Sequence, residues 1–174
     1  MDDAVPFGSG EYFVYLGLLL LARGMDFLST WVATPNLVLE ANPIAKRLGW
    51  KWGVPVNLAI CFGFALEPLP AIIVATTSLL VAARNFQGAW LMRSMGEYAY
   101  RIWMSERLGE TPIMLFLACL VGQTALVGGL GVALVLFSDN LLVPVGIGVG
   151  MVGYAIAVVL FTLISLWRGR RASR

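Results

Sequence analysis

Residues 23–43 read RGMDFLSTWVATPNLVLEANP, and this stretch places charge where a membrane helix ordinarily has none. Arg23, Asp26, Thr30 and Thr34 fall at i, i+3, i+7 and i+11, so on an α-helix they form one polar stripe on an otherwise apolar cylinder. Such a stripe must face protein or water. An Arg or Asp near the middle of a membrane helix costs about 2.5–3.5 kcal/mol on insertion scales, so these residues pair, line a cavity or serve a function. The bland account is an Arg23–Asp26 ion pair that locks helix packing. The sharper one adds Glu40 and Asn42, which lie just beyond the helix end, are fixed by Pro43, and are placed to fold back over the stripe.

The rest of the chain makes a membrane setting the natural one. Of 174 residues, 59% are hydrophobic and 13% charged, and the mean hydropathy is +0.83. A single all-α integral membrane domain over residues 1–174 accounts for this composition, with spans expected at about 12–34, 54–83, 112–137 and 141–167. The net charge of +2 is small and dispersed, which argues against nucleic acid. There is no histidine, and Cys61 and Cys119 each stand alone in an apolar run, so zinc chemistry is excluded in its usual forms and any bound metal would be a hard cation such as calcium or magnesium. The acidic start, MDDAVPFGSGE, is unlike a secretory signal, so the first span is expected to be retained.

Pro35 ends the first span, and Trp50 and Trp52 in the following connection suit a membrane interface. The second apolar stretch is interrupted at Glu67-Pro68-Leu69-Pro70, where two prolines remove backbone donors and Pro68 disfavours helical geometry at Glu67. One kinked helix is the favoured reading and a re-entrant hairpin the competing one. Both put Glu67 at membrane depth near the Arg23–Asp26 stripe. Residues 84–110 read as an amphipathic cytoplasmic helix with Leu91, Met95, Tyr98 and Ile102 on its apolar face. Arg93, Glu97 and Arg101 are spaced as a charge ladder, and Arg84 with Arg93 are candidates to hold a lipid phosphate. The last two spans form a hairpin about Ser138-Asp139-Asn140, rich in glycines that permit close packing or a homo-oligomer contact.

Excluding Arg23, four spans with both termini inside would place eight Lys and Arg inside and three outside, whereas a re-entrant second segment would place eleven on one side and none on the other. Either scheme puts Arg168, Arg170, Arg171 and Arg174 in the cytoplasm of a cell (inner) membrane protein.

The pattern Arg23-x-x-Asp26-x-x-Ser29-Thr30 followed by Glu40-x-Asn42-Pro43 resembles that of a group of uncharacterised small bacterial polytopic membrane proteins, and the resemblance covers about a quarter of the chain. It implies a shared fold for the first two helices and no established activity. A weaker similarity is to alkaline ceramidase-like membrane hydrolases, whose histidines hold zinc; this chain has none.

Three functions follow from these residues. The first is a buried polar site of Arg23, Asp26, Thr30, Glu40, Asn42 and Glu67 for a cation, proton or small polar solute, in a transporter-like module or a subunit of a membrane complex. The second is a lipid-modifying enzyme with a phosphate site at Arg84 and Arg93 and Glu97 as general base, which lacks any Ser/His or Cys/His pair. The third is a structural assembly subunit built on glycine-rich helices, with membrane lipids, a second copy or a larger complex as partner.

Overall fold

The computed structural model describes residues 4–172, and of residues 168–172 the backbone only. Arg174 therefore lies outside the described residues, as do the side chains of Arg168, Arg170 and Arg171. The described chain is helical throughout: α1 (Gly10–Ala33), α2 (Pro43–Phe64), α3 (Pro68–Met95), α4 (Glu97–Glu110), α5 (Ile113–Leu136) and α6 (Leu142–Ala172). Four of these, α1, α3, α5 and the Leu142–Trp167 part of α6, are long and apolar enough to cross a membrane. Helices satisfy every backbone group internally, as hydrocarbon requires. The protein is an all-helical, multi-pass membrane protein.

Local chemistry sets the helix ends. Ser9 caps α1 by accepting from the Tyr12 N–H at 3.2 Å. Asn42 caps α2, and Pro43 occupies the first turn, where a missing N–H costs nothing. Glu67 and Pro68 stop the chain between α2 and α3, and Gly96, at φ 80°, divides α3 from α4. Inside α2, Gly49 at φ 60° and ψ −169° bends the helix into a short entry turn and a longer arm.

α3 is the centre of the packing: α1 lies against it on one flank, α6 on another, and α5 packs on α6. Small residues allow this. A Cβ on Gly148 would come within 2.5 Å of the Gly131 carbonyl oxygen, and one on Gly150 within 2.9 Å of the Ile73 carbonyl oxygen, so α6 meets both neighbours backbone to backbone. On α3 the buried seam is Ala71, Ala75, Ser78, Ala82 and Ala89.

Contacts along the helices give their directions. The α2 arm starts with Trp50 Nε1 donating to the Pro35 carbonyl beside the end of α1, and finishes with the Phe62 carbonyl accepting from the Tyr12 hydroxyl beside its start. Val5 N–H donates to the Leu66 carbonyl at the same end. α2 thus returns the chain, and α3 then runs parallel to α1: Ser78 meets Arg23, Asn85 meets Thr30, and Arg93 meets Trp31.

Several expectations change here. The 54–83 stretch is not one kinked span; it is broken at Glu67-Pro68, and the segment after the break is a full span because the helix continues through residues 84–95 to Met95. The expected amphipathic helix over 84–110 is accordingly shortened to α4. Gly96 shifts its helical phase, so Glu97 and Tyr100 are buried while Tyr98 and Ile102 are exposed. The Arg93–Glu97–Arg101 ladder does not form: Arg93 stacks over the Trp31 ring at 5.6 Å, and the described ion pairs are Arg23–Asp26 and Arg107–Glu110.

The return through α2 places Glu11, Glu67 and Asp139 at one end of the molecule and Lys46, Arg47, Lys51, Arg93, Arg101 and Arg107 at the other, with Arg84 inside α3 toward that second end. Tags at residue 1 and residue 174 should therefore report opposite sides of the membrane in a protease-protection or reporter-fusion assay; tags on the same side would contradict the α2 return.

Candidate functional site

A cleft of about 430 Å³ opens between α1, the 34–42 connection, α2, α3 and α6. Arg23, Asp26 and Thr30 line it from α1, Glu40 and Asn42 from the connection, Asn57 from α2, Arg84 and Asn85 from α3, and Tyr154 from α6. Five of the sequence-derived candidates plus Arg84 thus share one space.

Arg23 is the structural hub. Its Nη1 donates to Asp26 Oδ2 at 2.9 Å and to Ser78 Oγ at 3.1 Å, its Nε donates to Asn57 Oδ1 at 2.8 Å, and Nη2 donates to the same oxygen. One guanidinium therefore joins α1, α2 and α3. Asn57 is aimed by its own amide, which donates to the Gly53 carbonyl at 2.7 Å. The Arg23 and Asp26 side chains keep 25% and 17% of their exposure, so the pair borders the cleft instead of being sealed in the core.

A second polar group links α1 to α3 about two turns on. Asn85 Nδ2 donates to Ser29 Oγ at 3.2 Å and Thr30 Oγ1 at 3.3 Å, and Ser29 in turn donates to the Asp26 carbonyl at 2.8 Å. The hydroxyl of Thr34 accepts from the Leu39 N–H at 3.1 Å and turns the chain out of α1.

The Glu-x-Asn-Pro segment has a local reason. Glu40 Oε1 accepts the Asn42 N–H at 2.7 Å, and Asn42 Oδ1 accepts the Ile44 N–H at 2.9 Å. Together with Pro43 they start α2, a capping signal that Asn-Pro carries in the sequence. Glu97 fastens the same connection from α4: its Oε1 accepts the Asn36 N–H at 2.8 Å. Its Oε2 is buried without a partner among the described residues. Occupied in this way, Glu97 is not placed as a base facing lipid.

Two candidates stand elsewhere. Glu67 is exposed at the N-cap of α3, eleven residues before Ser78 and so about 16 Å from its level at 1.5 Å per residue. The break that was expected to bring it to the stripe lies at the end of the helices, not at their middle, because α3 extends to Met95. Arg93 is exposed and lies two and a half turns from Arg84, on the opposite face of α3, so the two do not share a phosphate. Conversely, Asn57, Ser78 and Asn85 were missed. Ser78 and Asn85 fall in register with Ala71, Ala75, Ala82 and Ala89, so the four-and-three spacing of small and polar residues was the available signal.

Among the described residues, no group of three or more His, Cys, Asp or Glu side chains is arranged to hold a metal ion. No protein-family model matches the chain, and no similar curated protein or solved structure was found.

Glu40, outside the spans, has its carboxyl pushed above the ordinary value of 4.5; burial dominates, opposed by the Asn42 and Ala41 N–H groups and by Lys46. A raised folded-state pKa means that the folded protein binds the extra proton, so stability falls as pH rises through the window above 4.5. Glu40→Gln should flatten that fall in thermal unfolding measured from acid to neutral pH, and an unchanged slope would remove Glu40 as its source.

Proposed function

We propose that this membrane protein binds a small polar solute or cation in the cleft between α1, α2, α3 and α6, as a transporter-like module or as a subunit of a membrane complex. The observation that carries this reading is Arg23 hydrogen-bonded to three helices beside Asp26, with Glu40 and Arg84 lining the same space. An ion pair needed only for packing would be served by two helices and no cleft. Oxygen groups of Asp26 and Glu40 suit a hard cation better than zinc or copper. The cleft lies toward the end that carries the Lys and Arg residues, which the positive-inside rule assigns to the cytoplasm together with the C-terminal arginines. A lipid-modifying enzyme has less support, since Arg84 and Arg93 point apart and Glu97 is engaged with Asn36.

Breaking the pair with Arg23→Met or Asp26→Leu alone should lower stability by about 3 kcal/mol, the low end for a buried pair because both groups are partly exposed. The double variant should recover most of that loss in detergent and yet lose solute or ion binding. A stable double variant that still binds its ligand would sink the proposed site.

We extend the proposal to a homo-oligomer through α5. Gly131 and Gly128 are accounted for by α6, but a Cβ on Gly122 or Gly129 would meet nothing within 4 Å. Both are exposed, as is Gln123 near the middle of the span, whose amide bonds no other group among the described residues. A second Gln123 across a two-fold axis supplies both a donor and an acceptor, and such contacts contribute about 0.6–2 kcal/mol in membranes. Cys119 is exposed one turn away and Cys61 is buried. Mild oxidation in membranes should give a Cys119-dependent dimer that Gln123→Leu weakens and Cys61→Ala leaves intact; dimer absent from wild type would count against α5.

A further inference from the structure

The cleft contains two arginines in opposite situations. Arg23 has hydrogen bonds from Nε, Nη1 and Nη2. Arg84 has none among the described residues, and its Nη1 is buried without a partner among them. The described ion pairs are Arg23–Asp26 and Arg107–Glu110, so neither cleft carboxylate neutralises Arg84. An unpaired guanidinium taken partly out of water is costly, and a fork of N–H donors matches an oxyanion better than any neutral group.

Position narrows the ligand. Arg84 is sixteen residues past Pro68, about 24 Å along α3 at 1.5 Å per residue, against a hydrocarbon core of about 30 Å. With Pro68 at one edge of that core, Arg84 lies about 6 Å inside the other, the cation-rich one, a distance its long side chain can span toward a lipid phosphate. The cleft also presents Phe27, Trp50, Met92 and Phe161, so a ligand with an apolar portion fits beside the charge. Its volume of about 430 Å³ exceeds what a bare ion needs.

We propose that Arg84 binds a phosphate group carried by the molecule that enters the cleft, from an anionic lipid headgroup or a soluble phosphate ester. The proposal rests on the reading of the cleft as a binding site. It differs from a surface phosphate site made by Arg84 and Arg93 together, because Arg93 is occupied by Trp31 on the other face of the helix.

The test uses the full chain, delipidated in a phosphate-free maltoside detergent, with thermal unfolding and Trp fluorescence as readouts. The probes are glycerol 3-phosphate, short-chain phosphatidylglycerol and short-chain diacylglycerol, which has the same tails without phosphate. Phosphatidylglycerol, with or without glycerol 3-phosphate, should stabilise the wild type where diacylglycerol does not, and Arg84→Gln should weaken that binding by about ten-fold or more while Arg93→Gln leaves it unchanged. Arg84→Lys, which keeps the charge and loses the planar fork, should fall between them and serves where the Gln variant does not accumulate. A response to phosphatidylglycerol alone assigns the lipid headgroup, and a response to glycerol 3-phosphate assigns a soluble ester as well. Equal affinity in wild type and Arg84→Gln, or no response to either phosphate probe, overturns the proposal. Calcium is run alongside: calcium binding that Asp26→Asn abolishes, without any phosphate response, rejects the oxyanion and leaves the cleft standing, whereas silence from all probes rejects both.

Discussion

One guanidinium constrains the whole N-terminal half. Arg23 sits more than half-way along a span where an unpaired charge is costly, and its solvation comes from Asp26 on its own helix, Asn57 on α2 and Ser78 on α3. Each partner is useful only if its helix is present at the correct depth. The hydrogen bonds therefore fix vertical register among three helices, which apolar packing in lipid does poorly because lipid tails compete with any apolar surface. On the other flank, register between α6 and its neighbours comes from steric contact instead, through Gly148 against Gly131 and Gly150 against Ile73.

The polar stripe of α1 was legible because its spacing is intrahelical and the cost of burying charge does not depend on the neighbours. So was the break at Glu67-Pro68, which follows from backbone chemistry alone. Its meaning was not legible. Whether a broken apolar stretch is a kinked span or a turn between two helices depends on where the second helix ends, and Gly96, not the first charged residue Arg84, proved to be the stop. Arg84 and Asn85 lie inside α3 because a cleft accommodates them. A hydropathy reading has no means of knowing that.

Asn57 shows a different limit. In the sequence it is a lone amide in a moderately apolar segment, and only the return of α2 along α1 brings it to Arg23. Ser78 and Asn85 carried more signal, since they continue a run of alanines at four- and three-residue spacing. Such a run marks a close-packed seam, and the polar members of a seam are the ones that meet polar groups on the opposing helix. Glu40 and Asn42 reached the site for a reason unrelated to ligand: they start α2, and the start of α2 happens to border the cleft.

The α2 arm has a bearing on how the molecule is made. From Trp50 to Phe64 it is about 22 Å long at 1.5 Å per residue, short of the hydrocarbon thickness, and it contains Asn57 and Pro55. Such a segment has little tendency to enter lipid unaided, yet α1 and α3 cannot lie parallel until it has been drawn back alongside them. Arg23 and Asn57, each poorly tolerated by lipid, satisfy one another once the arm lies beside α1. Orientation and cleft are thus tied together, because the same return that joins Arg23 to Asn57 is the one that sets α3 parallel to α1.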